Sequence, residues 1–378
     1  MFQLRIIQAE YGDCFILEFG KESSPHYILI DGGPEDNYKT HLKAELEEIR
    51  DKGGILDLVI LSHVDDDHIG GFKRLLADLN HQELYNKPKT IKKIKSIWHN
   101  SFKKTIDTDD KIYSTMNDLL DPSSFGSKSY KIIESVNFSI KNGMKTTKMI
   151  EEHEIPINPE SSTNLISIEN MPPIIPKENL NIRIIGPTME NLKKLRKEWL
   201  DWLNKPKTKK FYDHPYFKAM SEKRTVNLSS IMILAEAEGK RVLLSGDGKG
   251  DNLIEGLEQL GLLNDNGEIH VDVFKLPHHG SESNVSRDFF DKVKAHTYVI
   301  SANGKHGNPD LSTLKWLVES AKARDERVTI FVTNQTSATE KLIIEYPPTI
   351  NGYNLELMDK NANSTVLNIV HKSIFENN

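Results

Sequence analysis

The chain has 378 residues, 37% of them hydrophobic and 28% charged, with a formal net charge of −6. That length can bury a large core, while the acidic balance excludes a globally basic nucleic-acid binder. Mean hydropathy is −0.49, and no apolar run approaches the ~20 residues needed for a helix to span a bilayer.

The first residues, Met1 to Ile7, alternate like a strand and lack the basic start, apolar core and cleavage site of a secretory leader. A single cysteine, Cys14, rules out an internal disulfide framework and points to a reducing cytoplasm. Periodicity predicts strands near 2–9, 14–20, 26–31 and 58–62 and a helix at about 38–52. Cys14 falls within the second strand, where a buried small hydrophobe is its expected role. A strand at Ile94–His99 leads into a segment at about 100–178 with helical character over Lys111–Leu120 and Lys128–Glu151. That segment closes in a proline- and serine-rich loop from Pro156 to Pro176. Strand Leu180–Ile185 and a helix from about Met189 to Leu203 follow. Then come strands near 226–236 and 240–245, a helix at about 250–261, a strand near 271–276, a helix near 286–293 and a strand near 297–301. A helix at about 311–323 and strands near 328–333, 340–346 and 364–370 complete the chain. This order argues for a single domain over 1–378 with one insertion at about 100–178, and it shows no internal repeat.

Four of these strands stop at residue types that ligate metals. Leu58 to Leu61 runs into His63, Asp65, Asp66, Asp67 and His68, followed by Gly70, Gly71 and a helix-patterned stretch. Three adjacent aspartates repel one another unless a cation is bound among them. Tyr27 to Ile30 ends at Asp31, with Gly32 and Gly33 after it; Val242 to Leu244 ends in Ser245, Gly246 and Asp247. Val271 to Leu276 ends in Pro277, His278, His279, Gly280 and Ser281. In layered α/β folds ligands collect at strand ends, because the scaffold there is rigid and the loops vary freely. Together the four ends predict a dinuclear metal site.

The motifs resemble the metallo-β-lactamase superfamily, whose hallmark is H-x-H-x-D-H on such a loop; here Asp65 stands at the second histidine. The H-x-D-x-D-H form, the stretch Gly12 to Leu17 and the Pro-His-His-Gly-Ser block resemble one branch in particular. That branch is the metallohydrolase domain of the DNA-uptake protein ComEC and its free-standing soluble relatives. Matching motifs run from about Gly12 to Asp310. The resemblance implies an α/β fold, a four-layer αββα sandwich with a partly helical insertion and its metals at one open edge. It also implies two divalent ions, zinc or manganese. His63 and Asp65 would hold the first ion, Asp67 and His68 the second, and Asp247 would bridge them. One of His278 and His279 would complete the second site; the alignment favours His279, and both stay open. The superfamily's third-motif histidine falls at Asn227, as in the ComEC-like branch. The resulting oxygen-rich first site favours manganese. Asp31 is expected to orient a ligand histidine from behind.

Two ions held by carboxylates activate water, orient an anionic substrate and neutralise charge on the attacking and leaving oxygens, which is what phosphodiester hydrolysis needs. Asp67 and Asp247 are therefore expected to act in catalysis as well as in binding, whereas Ser62 and Ser245 read as turn residues. Ser281 to Asn284 and Lys305 to Pro309 are expected on the substrate side. Asn308 replaces a histidine of the ComEC-like pattern, and His306 lies two residues earlier. His306 is read either as solvated structure or as a group that binds phosphate or protonates the leaving group.

Two basic runs bear on the substrate. One spans Lys193, Lys194, Arg196, Lys197, Lys205, Lys207, Lys209 and Lys210, with Trp199, Trp202, Phe211 and Tyr212 nearby. The other spans Lys87, Lys89, Lys92, Lys93 and Lys95, then Trp98, Lys103 and Lys104. Cations tracking phosphates with aromatics stacking on bases would hold a single strand of DNA; a charged helix whose tryptophans face the core is the other reading. The leading expectation is a phosphodiesterase or nuclease acting on DNA. The alternatives are hydrolysis of a lactone, thioester or phosphorylcholine ester, or a subunit of a multi-protein system against foreign DNA that binds a protein partner through the 100–178 insertion.

Overall fold

The structure, a computed structural model, describes residues 1–105, 143–204 and 226–369. The predicted helix at Lys111–Leu120, part of that at Lys128–Glu151, and Lys205, Lys207, Lys209, Lys210, Phe211 and Tyr212 lie outside the described residues.

Two sheets face one another. The first contains β1 (Phe2–Ile7), β2 (Phe15–Lys21), β3 (Ser24–Ile30), β4 (Leu58–Leu61) and β5 (Ile97–His99), with β14 (Ser364–Asn368) beyond β1. Strands β1 to β3 pair antiparallel, and β4 and β5 continue parallel to β3. The second sheet runs through β6 (Ile175–Lys177), β7 (Leu180–Gly186), β8 (Met232–Ala237), β9 (Lys240–Leu244), β10 (Ile269–Lys275), β11 (Val293–Ile300), β12 (Val328–Val332) and β13 (Tyr353–Leu357). It repeats the scheme: β6 to β9 are antiparallel, and β10 to β13 continue parallel to β9. In each sheet the first parallel pair, β3–β4 or β9–β10, aims its carboxyl ends the same way. Those four ends carry Asp31, His63, Asp247 and His278–His279.

Burial explains why these strands read as near-continuous apolar runs. Phe2, Leu4, Phe15, Leu17, Ile28, Ile30, Leu58 and Ile60 pack between the sheets against Ile182, Ile233, Val242 and Leu244. The alternate residues Leu29, Val59 and Leu61 face outward under the helix Asp66–Leu84. On the far side, Leu243, Phe274 and Ile330 meet Leu253, Leu314 and Leu317 from the helices Gly250–Gln259 and Leu311–Ala323. Helix, sheet, sheet and helix make the four layers expected from the sequence. Cys14 is buried, as expected. No helix among the described residues is long and apolar enough to cross a membrane.

Several local expectations are corrected. Of residues 340–346, read as a strand from their apolar run, 340–345 belong to the helix Ser337–Glu345 and Tyr346 stands at its C-cap. Thr336 caps it, accepting from Thr339 N while Thr339 Oγ1 accepts from Thr336 N. Of the run Leu342, Ile343 and Ile344, only Leu342 turns inward; Ile343 and Ile344 are exposed. The strand expected near 226–236 begins at Met232, after a single helical turn at Val226–Ser229. Edge strands β6 and β13 were not anticipated. Within the candidate insertion, Met149 and Ile150 join the outer core and Ile166, Met171 and Ile175 the inter-sheet core, so the described part of it is built into the fold.

Candidate metal centre

The loop after β4 is set by close backbone packing. A Cβ on Gly71 would stand 2.0 Å from Gly32 O, and one on Gly12 2.0 Å from Asp67 O. The start of the helix Asp66–Leu84 therefore lies directly on the loops before β2 and after β3, where Asp13 N donates to Asp67 O and Gly32 N to His68 O. Asp65 occupies the N-cap position, yet its carboxylate makes no capping bond. It faces His63 instead, with 3.7 Å between Asp65 Oδ2 and His63 Nε2.

Four histidines turn Nε2 toward the carboxylate of Asp247. His63 and His278 approach Oδ2 at 3.8 and 3.6 Å; His68 and His279 approach Oδ1 at 3.2 and 3.6 Å. Asp67 Oδ2 lies 3.6 Å from His279 Nε2. Donors bound to one tetrahedral ion at zinc-like distances stand roughly 3.3–3.6 Å apart, so this spacing fits divalent cations. Donor atoms of His63, His68 and Asp247 lie within 4.8 Å of one another, as do those of Asp67, His68 and His279. The buried Nε2 atoms of His63, His68 and His279 make no hydrogen bond of ordinary geometry.

Each ring is held from behind at Nδ1. His68 Nδ1 donates to Asp31 Oδ2 at 2.8 Å, and His279 Nδ1 donates to Ser301 O at 2.8 Å. Ser62 gives its hydroxyl proton to Asp31 Oδ2 at 2.6 Å, which leaves Oγ to accept from His63 Nδ1 at 3.1 Å. Ser62 N donates to Asp31 Oδ1 as well. Asp31 thus binds the His68 ring at Nδ1 while the ring's Nε2 faces Asp247. Ser62, read from the sequence as a turn residue, links Asp31 to His63. Fixing Nδ1–H in this way leaves Nε2 as the lone-pair atom.

Two residues that the sequence did not single out complete the charge balance. Lys275, at the end of β10, is buried; its Nζ is paired with Asp13, donates to Gly246 O at 2.8 Å, and lies 3.8 Å from Asp247 Oδ1. Burial would raise the Asp13 carboxyl, but Lys275 and His279 hold it below the ordinary value. Burial opposes ionisation of Asp247 too, yet His68, His279 and His278 keep it well below the usual carboxylate range. Burial disfavours charge on His279; Asp247 and Asp13 outweigh that and push it up to about 9. The His278 ring is lowered, chiefly by burial.

The remaining expected residues divide. Asn227 is buried, with Nδ2 3.4 Å from His278 Nδ1, and Asn308 Nδ2 donates to His278 O. Ser281 is buried in the turn after His279 and shares a hydrogen bond with Ser283. Asn284 hydrogen-bonds His278 Nδ1 and the Asp247 backbone carbonyl. His306 is exposed and lines a shallow pocket with Tyr11, His279, Lys305 and Asn308. Its ring meets Tyr11 edge-on, and Lys305 Nζ sits 3.6 Å over the Tyr11 ring. Trp98 cannot stack on a base: it is fully buried opposite Ile60 and its Nε1 donates to Glu160. Nearby, Lys89 and Lys95 pair with Glu83 and Asp57.

Residues 10–132 match the metallo-beta-lactamase superfamily. The two facing sheets and outer helices agree with its fold. No curated protein matches the chain. Among solved structures, Zn(2+)-bound PqqB from Methylobacterium extorquens is similar at 8% identity with a TM-score of 0.41, over 97% of this chain and 100% of that one. A CmlA beta-hydroxylase mutant is similar at 10% identity with a TM-score of 0.39, over 97% of this chain and 54% of that one.

Proposed function

We propose that this chain is a metal-dependent hydrolase that cleaves phosphodiesters, with DNA as its substrate class. The observation that carries the reading is the convergence of four Nε2 atoms on the two oxygens of Asp247, with Asp65 and Asp67 on its flanks. Two divalent ions bound there supply charge neutralisation for a phosphodiester and activation of a water. The chain's own part would be to hold them through Asp247, whose Oδ2 faces His63 and His278 and whose Oδ1 faces His68 and His279. Asp31, Ser62 and Ser301 fix the ring orientations, so little reorganisation accompanies the reaction. The carboxylate share favours manganese over zinc.

At the mouth, Lys305 and the Tyr11 ring would receive a phosphate and a neighbouring base, and His306 would give a proton to the leaving oxygen; their shared pocket with His279 supports this. The ComEC-like form of the metal motif supports DNA as the polymer. Lys193 and Lys194 are exposed on the helix Met189–Asn204 and would add phosphate contacts. The test is a metal-by-substrate screen, manganese and zinc against single-stranded DNA, duplex DNA, RNA and bis-p-nitrophenyl phosphate, with lactones and thioesters as controls. Cleavage of phosphodiesters, faster with manganese, is expected. Turnover of lactones or thioesters with every phosphodiester left intact would overturn the reading.

A further inference from the structure

We propose that His278 is a ligand of the first ion, so that the adjacent pair His278–His279 serves both metals, one ring each. The inference rests on the dinuclear reading and assigns a donor that it leaves undecided. Without His278 the two sites are unequal: His63, Asp65 and Asp247 on one side, Asp67, His68, His279 and Asp247 on the other. The Asp247 carboxylate divides the histidines two and two. Oδ2 faces His63 and His278, and Oδ1 faces His68 and His279.

The backbone makes this division. His278 and His279 both adopt left-handed conformations, at φ 47°, ψ 50° and φ 56°, ψ 23°. Each costs a non-glycine residue about 1–2 kcal/mol. The turn sets the two rings 60° apart in plane, with centroids separated by 5.9 Å, on different oxygens of one carboxylate. Strain of this kind persists where surrounding contacts impose it. Here Asn308 Nδ2 holds His278 O from outside, and His278 N donates to Gly246 O.

The tautomer points the same way. Asn284 Nδ2 donates to two backbone carbonyls, Asp247 O at 3.0 Å and Gly248 O at 3.3 Å, so the amide orientation is fixed. Its Oδ1 must then accept from His278 Nδ1 at 2.7 Å. The proton is therefore on Nδ1, and the Nε2 lone pair faces Asp247 Oδ2. This is the arrangement that Asp31 imposes on His68 and Ser301 on His279. The Asn227 amide sits beside the same Nδ1, behind the ring. His278 remains 17% exposed against 5% for His279.

Metal stoichiometry decides the matter without reference to turnover. Metal-free parent protein would be titrated with Zn²⁺ by calorimetry, and with Co²⁺ by its visible ligand-field spectrum. We expect two ions per chain in the parent and one tightly held ion in His278→Ala, with the other weakened by roughly 100-fold or more. His279→Ala should likewise keep one ion, with a different Co²⁺ spectrum because the other site survives. Adding Asn227→His to His278→Ala, which brings an imidazole to the same space, should restore the second equivalent. His278→Gln serves if the alanine variant fails to fold, and a thermal melt checks each variant. Two ions at parental affinity in His278→Ala or His278→Gln would overturn the inference and leave the dinuclear reading standing. Fewer than two in the parent would overturn the dinuclear reading itself.

Discussion

Lys275 and Asp13 form an ion pair beside the candidate metal centre, and each side chain is only 1% exposed. The lysine comes from the end of β10 in one sheet and the aspartate from the loop before β2 in the other, so the pair bridges the sandwich at the edge where Asp247 stands. Lys275→Met would keep the length of the side chain and leave the Asp13 carboxylate buried without its cation. Breaking such a pair costs about 3–5 kcal/mol. Chemical denaturation of the metal-free protein should show a loss of that size, with part of it regained in the Asp13→Asn/Lys275→Met double variant. A single variant as stable as the parent would contradict the role given to the pair.

Asp247 is expected to be the least replaceable residue of the centre. Asp247→Ala removes the one carboxylate that all four histidines face, so turnover should fall to that of the metal-free protein while the fold stays soluble. Activity near the parental level would show that the bridge lies elsewhere.

His99 gives a pH dependence with a defined sign. It is buried on β5, its Nε2 3.1 Å from Thr147 Oγ1, and burial, with Lys104 adding, lowers it to about 4. The unfolded chain takes up that proton near the ordinary value of about 6.5. The stability contributed by the neutral ring is therefore complete above pH ~6.5 and is lost as pH falls toward 4, by up to about 3 kcal/mol. In His99→Gln, unfolding free energies measured between about pH 7 and pH 5 should fall less steeply than in the parent. Identical slopes would rule out this assignment.

The basic stretch predicts a salt dependence. Replacing Lys193, Lys194, Lys207, Lys209 and Lys210 with glutamine should weaken DNA binding and make the plot of log affinity against log salt shallower. The slope should change by roughly 0.7–0.9 for each phosphate that the variant no longer neutralises, with cleavage of a small phosphodiester unaltered. A variant that binds DNA with the parental slope would make this stretch an ordinary solvated face.

Much of the centre could be read from the chain because its parts are local. His63, Asp65, Asp67 and His68 occur within six positions at one strand end, and Asp31 and Asp247 each follow an apolar run into glycine-flanked turns. Asp13 and Lys275 could not be read, because their pairing exists only once the two sheets face each other; a lysine ending an apolar run otherwise reads as exposed. The roles of Asn284 and Ser62 depend on hydrogen bonds to side chains brought near by the fold. Trp98 reads as a base-stacking candidate because lysines surround it in sequence, but its register opposite Ile60 puts it between the sheets. The 340–346 segment shows the same limit: Leu342, Ile343 and Ile344 look like a strand until the Thr336 cap sets a helix.

If Asp247 joins two cations, metal content will show it. Protein reconstituted with manganese or zinc and then dialysed would be measured by elemental analysis against its concentration. About two ions per chain are expected in the parent, with both lost in Asp247→Ala. Fewer than one ion per chain in the parent would contradict it.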